Sequence, residues 1–225
     1  MKEGRDFAII YHINSHYSDL KEDLDQIDSF SCFTKSKGIR RAILFDFMQI
    51  GELFNHLSKT FLHKFNNDNS IKLISIRNRI VHGYYSIRDD IIYDTLKNHL
   101  PLLIKELNEF ARNYYTSCLK KLIGRSVEVL VDRPIGVIHE KIIYKHNYGY
   151  IKEMTALDGQ FQDAYILSGN KPLYSKEGVV TAIIHRLDDI EDKLIVVDKD
   201  AYLSDEEIEA MVSFQEQFFK HEIIR

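Results

Sequence analysis

The spacing of the apolar residues changes near residue 117, and this change limits the architectures open to the chain. Before it, apolar side chains recur at steps of three and four residues between Phe7 and Ile27, between Ile43 and Phe61, and between Ile91 and Phe110. That spacing places them on one face of an amphipathic helix. After it, short segments alternate apolar and polar residues, which is typical of half-buried strands.

The first half is therefore predicted to be an all-α, up-and-down helical bundle with short connections. Asp6 is the expected N-cap of its first helix, because a short acidic side chain can accept the free backbone N–H groups there. Pro101 predicts a kink in the last helix, since proline removes a backbone donor. The expected helices cover residues 6–27, 39–65, 71–81 and 87–115.

The second half is predicted to be a small OB-like β-barrel with a C-terminal helix. That helix is expected to begin at Ser204, and Glu207 three residues later completes a capping box. The whole is a multidomain protein, with a helical domain at residues 1–117 and a barrel domain at 118–225. The expected strands cover residues 126–132, 142–151, 162–167, 178–186 and 193–198.

The composition predicts a soluble globular protein, with 44% apolar and 28% charged residues. No apolar run approaches the roughly 20 residues that span a bilayer, and the N-terminus lacks the apolar core of a signal peptide. Cys32 and Cys118 are too few and too far apart to predict a disulfide framework or a zinc site. We therefore expect a cytoplasmic protein that makes no use of a membrane.

The two halves differ in charge. Residues 1–120 carry 17 Lys and Arg against 15 Asp and Glu, a net of +2, whereas residues 121–225 carry 13 against 19, a net of −6. A mildly basic first half is compatible with RNA as a partner. The acidic second half would repel a polyanion unless metal ions neutralise its carboxylates.

The stretch from Arg77 to Tyr85, R-N-R-I-V-H-G-Y-Y, combines two side chains that suit phosphate chemistry. Arg77 carries a permanent planar cation that fits a phosphate. His82 is of the type that moves a proton near neutral pH. Together they suffice for metal-free RNA cleavage, in which one group deprotonates the 2′-hydroxyl and the other neutralises charge at phosphorus. The alternative is a surface arginine beside a core or capping histidine.

The R-x4-H-x-Y arrangement inside a helical bundle resembles the HepT family, the HEPN-domain ribonuclease toxins of prokaryotic toxin–antitoxin pairs. The resemblance covers residues 7–110 and includes M-Q-I-G-E-L at residues 48–53 on the second helix. It implies a metal-independent endoribonuclease that needs no cofactor. It also implies an active homodimer, in which the motifs of two subunits meet in one cleft that receives the RNA.

The same resemblance assigns roles to four residues. Arg77 would hold the scissile phosphate, His82 would move a proton of the 2′-hydroxyl or of the leaving oxygen, and Asn78 would orient the backbone or the substrate. Tyr84 would be the site at which a partner nucleotidyltransferase, the antitoxin, attaches AMP and blocks RNA entry. The alternative for Tyr84 is a half-buried ring that packs the end of the bundle.

Three segments of the second half resemble family I inorganic pyrophosphatases, which have an OB-barrel fold. They are N-Y-G-Y-I at residues 147–151, D-G-Q-F-Q-D at 158–163 and D-D-I-E-D-K at 188–193. Carboxylates brought together there would bind Mg²⁺ or Mn²⁺, which prefer hard oxygen ligands. Lys193 and Tyr148 would each contact a phosphate oxygen. The expected metal ligands are Asp158, Asp163, Asp188 and Asp192.

This chain departs from the pyrophosphatase pattern in two places. Gln160 stands where the family has a carboxylate tied to activation of the attacking water, and the segment between Asp132 and Asn147 lacks the family's Lys, Glu and Arg grip on pyrophosphate. Two alternatives to the ribonuclease therefore stay open for the chain. One is a Mg²⁺-dependent pyrophosphatase that the helical half dimerises, and the other is a phosphate- or metal-binding module.

Overall fold

The computed structural model describes residues 4–66 and 88–225. It contains two compact units, of which one ends at Ala111 and the other begins at Arg112. The helical unit comprises α1 (Gly4–Asp25), α2 (Phe30–Lys35), α3 (Lys37–His56), α4 (Lys59–Phe65), α5 (Asp89–Asp94), a π-helical turn (Thr95–His99) and the first part of α6 (Leu100–Lys120). The predicted helix at residues 71–81 lies outside the described residues.

The core of the helical unit confirms the amphipathic faces expected from the sequence. Helices α1 and α3 pack against each other. Apolar side chains spaced three or four residues apart on both helices are buried, which removes their surface from water and stabilises the pair. These side chains include Phe7, Ile10, Ile13, Phe47, Ile50 and Phe54.

The predicted N-cap role of Asp6 is wrong. Asp6 lies within α1 and is buried, and its carboxylate accepts hydrogen bonds from the backbone N–H of Ser58 at 2.7 Å and from the Ser58 hydroxyl at 2.6 Å. Ser58 is itself the N-cap of α4. Asp6 therefore supports the start of a different helix, a contact between residues 52 positions apart that local spacing does not reveal.

The helix contains a wider turn just before Pro101, the residue at which the sequence predicts a kink. The π-helical turn immediately precedes α6, and the backbone N–H of Leu100 donates to the carbonyl of Thr95, five residues back. Proline lacks an N–H and cannot continue the regular ladder. The widened turn is one of the ways in which a helix absorbs such a gap.

The second unit is a closed five-stranded barrel with a C-terminal helix, as predicted. Strand β1 pairs with both β4 and β6, which closes the ring in the order β1-β4-β5-β7-β6, and β8 extends the sheet beyond β6. Its elements are β1 (Ser126–Arg133), β2 (Ile138–His139), β3 (Ile142–Ile143), β4 (Asn147–Thr155), β5 (Phe161–Ile166), β6 (Ser175–Arg186), β7 (Lys193–Val197), α7 (Asp205–Glu216) and β8 (His221–Ile224).

Closure of the barrel depends on a glycine. A Cβ atom at Gly149 would lie 1.9 Å from the carbonyl oxygen of Leu130, on the neighbouring strand β1. Only a residue without a side chain lets the two backbones approach this closely. Gly149 therefore allows β1 and β4 to pair, and so completes the ring.

Helix α7 covers part of the barrel core and has the predicted capping box between Ser204 and Glu207. Its buried Ile208 and Val212 belong to one apolar cluster with strand residues such as Tyr165 and Ile195. Among the helices of the described residues, none has the combination of length and apolar character that crossing a membrane requires.

Candidate functional site

The predicted nuclease residues Arg77, Asn78, His82 and Tyr84 all lie in the segment 67–87, outside the described residues. The described chain resumes at Arg88, and Asp89 on α5 forms an ion pair with Arg40 on α3. The Arg40 guanidinium also lies 5.7 Å from the centre of the Phe33 ring. These contacts fix the start of α5 against α3 directly after the motif.

A cavity of about 630 Å³ lies in the barrel unit. Alternate residues of a strand share a face, so β4 contributes Tyr148 and Tyr150 and β5 contributes Phe161 and Asp163. The remaining charged groups come from strand ends and turns. The carboxylates that line the cavity are Asp132, Glu140, Asp158, Asp163, Asp189 and Glu191, and the cationic side chains are Arg133, Arg186 and Lys193.

Lys193 lies at the centre of one ion-pair cluster. Its ammonium group is 2.6 Å from Asp163 Oδ2 and 2.6 Å from Glu191 Oε2, and the residue is buried. Burying an ammonium group is costly unless it is paired and hydrogen-bonded. The two carboxylates supply that pairing, so the charge of Lys193 is already used within the cavity wall.

Arg133 lies against two aromatic rings. Its guanidinium is 5.5 Å from the centre of the Tyr144 ring and 5.0 Å from that of Tyr148, and its Nη1 donates to the Tyr144 hydroxyl at 2.8 Å. A guanidinium over a ring face is attracted by the ring's negative face. Burial raises the pKa of the Tyr148 hydroxyl well above its ordinary value, and the nearby charge of Asp163 adds to this effect.

Arg186 is buried in a second ion-pair cluster. It donates through Nε and Nη2 to Glu216 at 2.8 and 2.9 Å and through Nη1 to Asp189 at 2.7 Å. Its guanidinium also lies 3.5 Å from the centre of the Phe219 ring. Burial acts to lower the pKa of Arg186, but the hydrogen bonds to Glu216 and Asp189 raise it above its ordinary value.

The negative charges of two cavity carboxylates, Asp132 and Asp158, are balanced less completely by neighbouring groups. Burial raises the pKa of Asp132, with an opposing effect of Arg133 and a further rise from Asp163. Burial also raises the pKa of Asp158, and the charges of Glu191 and Asp163 raise it further, whereas a backbone hydrogen bond lowers it. That bond comes from Gln160, whose N–H donates to Asp158 Oδ1 at 3.0 Å.

The four predicted metal ligands do not meet at one point. Asp158 and Asp163 line the cavity, but Asp188 accepts hydrogen bonds from the backbone N–H of Lys220 at 3.0 and 3.1 Å. Asp192 is buried beside the His185 ring, whose Nδ1 lies 2.9 Å from Asp192 Oδ1. Both carboxylates are thus engaged elsewhere.

The described residues also offer no group of three His, Cys, Asp or Glu side chains close enough to share a metal ion. The predicted set therefore does not fit a two-metal centre. Lys193 and Tyr148, predicted to bind phosphate, do lie in the cavity together. The charged residues of the lining that the sequence prediction did not assign to this site are Asp132, Arg133, Glu140, Arg186, Asp189 and Glu191.

A helical unit followed by a closed OB-like barrel defines a multidomain protein, and its two parts match different known proteins. The model of the family described as "Ribonuclease HepT-like" matches residues 13–110. The resemblance to the HepT family that the sequence motifs indicate is thereby confirmed for the helical half.

Two relatives of the helical half come from Methanocaldococcus jannaschii. "Putative RNase MJ0127" is 26% identical over 106 residues, which cover 47% of this chain and 87% of the relative. "Putative RNase MJ1380" is 28% identical over 100 residues, which cover 44% of this chain and 91% of the relative. Both matches leave more than half of the chain uncovered.

Similar solved structures include inorganic pyrophosphatases. The enzyme from Helicobacter pylori is 16% identical with a TM-score of 0.38, and the match covers 46% of this chain and 86% of that one. The enzyme from Neisseria gonorrhoeae is 21% identical with a TM-score of 0.34, and the match covers 40% of this chain and 72% of that one.

Proposed function

We propose that the helical half is an endoribonuclease that works without a metal ion. The observation that carries this proposal is the family match over residues 13–110, since the complete R-x4-H-x-Y motif at residues 77–84 falls inside it. The relatives named as RNases support it further. The substrate is RNA, because the mechanism depends on the 2′-hydroxyl.

The chemistry follows from the two side chains. His82 takes a proton from the 2′-hydroxyl, or returns one to the leaving 5′-oxygen, as a general base or acid. The 2′-oxygen attacks the adjacent phosphorus while the bond to the 5′-oxygen breaks, which yields a 2′,3′-cyclic phosphate and a 5′-hydroxyl. Arg77 stabilises the charge that develops on the phosphate oxygens, and Asn78 orients the substrate.

The biological setting we propose is a toxin–antitoxin system. The active form is a homodimer in which two copies of the motif share one RNA cleft, and the partner is a nucleotidyltransferase antitoxin that attaches AMP to Tyr84. An AMP group adds bulk and negative charge beside the motif, so it blocks entry of the RNA backbone. Mass spectrometry of Tyr84 after co-expression with a neighbouring nucleotidyltransferase tests this step.

The test of the ribonuclease uses His82→Ala with His63→Ala as its matched control. His63 is an exposed histidine on α4, outside the motif. Removing a general acid or base costs roughly a hundredfold to ten-thousandfold in rate. We expect that loss for His82→Ala on single-stranded RNA in the presence of EDTA, and none for His63→Ala. Equal cleavage by both variants would exclude His82 from the reaction.

The rival hypothesis is a Mg²⁺-dependent pyrophosphatase, or a phosphate-binding module, that the helical half dimerises. It predicts phosphate release from pyrophosphate with Mg²⁺ or Mn²⁺, and no effect of His82→Ala on any activity. Phosphate release at a rate that Asp163→Asn abolishes, together with no cleavage of RNA, would favour the rival over the ribonuclease.

A further inference from the structure

The cavity of the barrel unit carries more negative than positive charge. Six carboxylate side chains line it against three cationic ones, which gives a net charge of −3 with its histidine neutral. A concave site lined by charge of one sign concentrates ligands of the opposite sign. The occupant that this lining favours is therefore a cation.

Two of the three cations of the cavity are already committed to carboxylates, and the third, Arg133, lies against the rings of Tyr144 and Tyr148. Lys193 is shared between Asp163 and Glu191, and Arg186 is held by Asp189 and by the buried Glu216. Asp132 and Asp158 have no ion-pair partner within 4.0 Å among residues 4–66 and 88–225. These two carboxylates, of which Asp158 is half-buried and Asp132 is exposed, are left to a cation from outside the chain.

The cavity also has a polar group that lacks a partner. Tyr148 lines it with only 1% of the residue exposed, and the Tyr148 hydroxyl makes no hydrogen bond within 3.5 Å in the described part of the chain, although Asp163 lies near enough to raise the pKa of this hydroxyl. A buried hydroxyl without a partner is costly, and most such groups in folded proteins are satisfied. A ligand that supplies an N–H donor would give the hydroxyl oxygen a partner.

Aromatic rings complete the wall. Tyr150 and Phe161 stack with ring centres 5.3 Å apart and planes 14° from parallel, and both line the cavity. Phe161 is 44% exposed. Elsewhere in the cavity, ring faces already hold the guanidinium groups of Arg133 and Arg186. Ring faces beside carboxylates are the surroundings that organic ammonium groups prefer.

Shape decides between a compact and an extended cation. The carboxylates do not converge in threes among the described residues, and the cavity of about 630 Å³ far exceeds the space that one metal ion needs. We propose that the cavity binds an organic polycation of the polyamine class, with ammonium groups at Asp132 and Asp158 and its hydrocarbon part against the aromatic wall. This site is independent of the ribonuclease proposed above.

The experiment is calorimetric titration of the full chain with spermidine at low ionic strength. We expect saturable binding that weakens about tenfold in Asp132→Asn and in Asp158→Asn, since each variant removes one carboxylate charge from the cavity without changing the shape of the side chain. Tyr148→Phe should weaken binding roughly threefold to tenfold, the value of one hydrogen bond. Asp200→Asn, an exposed carboxylate outside the cavity, is the matched control and should bind like the wild type.

Three results would overturn the proposal. The wild type shows no saturable binding of spermidine, or the two asparagine variants bind it as well as the wild type does. The third is tighter binding of Mg²⁺ or of metal-free pyrophosphate than of spermidine, with loss of that binding in Asp158→Asn. If a variant fails to fold, as circular dichroism would reveal, the wild-type titrations with the three ligands still decide.

Discussion

Arg186 joins the end of β6 to the C-terminal helix through one buried charge pair. Glu216, at the last position of α7, is fully buried and accepts from two nitrogens of the guanidinium, and it also accepts from the Tyr165 hydroxyl at 2.5 Å. Each polar atom of this cluster is satisfied by another, which is the condition under which buried charges are tolerated. Removal of Glu216 leaves two buried nitrogens of Arg186 without an acceptor, and Asp189 as the remaining carboxylate that is hydrogen-bonded to the guanidinium.

Replacement of Glu216 by Ala should therefore lower the free energy of unfolding by about 3–5 kcal/mol. Urea denaturation followed by tyrosine fluorescence measures this change, since the chain has 13 tyrosines and no tryptophan. The control is Asp205→Ala, which removes a surface ion pair with Arg225 and should cost at most about 1 kcal/mol. Equal losses in the two variants would contradict a special role for the buried pair.

Protonation of His221 is expected to make the stability of the barrel depend on pH. Burial lowers the pKa of His221, but hydrogen bonds to Glu209 and to the Phe219 carbonyl raise it above 6.5 overall. Both ring nitrogens face acceptors, at 2.9 and 3.0 Å, so the protonated ring satisfies both. A raised pKa means that the folded state binds the proton more tightly than the unfolded state does.

The stabilisation from His221 is accordingly complete below about pH 6.5, the ordinary histidine value, and is lost as the pH rises through the raised pKa. Thermal unfolding between pH 5 and pH 9 should show this decline in the wild type. It should be reduced in Glu209→Gln, which keeps the shape of the acceptor but removes its charge. An unchanged pH profile in that variant would mean that the carboxylate does not hold the proton.

At the scale of elements, apolar periodicity predicted the long helices, the five barrel strands and the capped α7. The periodicity missed α2, β2 and β8, and it merged β3 and β4 into one strand at residues 142–151, because segments of two to six residues are too short to show a period. The sequence prediction also extended one helix across residues 57–58, where Leu57 and Ser58 separate α3 from α4. The Ser58 N-cap is held there by Asp6, a contact that sequence distance conceals.

Gly149 offers a test of barrel closure. Gly149→Ala forces a Cβ into the carbonyl of Leu130, so β1 and β4 must separate, and we expect a loss of about 3 kcal/mol or more. Gly38→Ala is the control, since a Cβ there meets nothing within 4 Å and α3 gains a better helix former, with a gain of about 0.5–1 kcal/mol. Similar unfolding temperatures for the two variants would contradict the close approach.

At the scale of the whole molecule, the two candidate sites differ in how far the sequence reveals them. The nuclease motif is local, with Arg77 and His82 five residues apart, so it is visible in the sequence. The barrel cavity is assembled from strand ends far apart in the chain. Glu191 and Lys193 line it, whereas the intervening Asp192 lies beside His185, because successive residues of an extended chain point to opposite sides.

The most direct test of the central claim is the chemistry of RNA ends produced by the purified protein in EDTA. Catalysis by an arginine and a histidine through the 2′-hydroxyl predicts fragments with 2′,3′-cyclic phosphate and 5′-hydroxyl ends, with the chelator present. Cleavage that stops when metal is removed, fragments with 5′-phosphate ends, or cleavage of DNA at the same rate would contradict it.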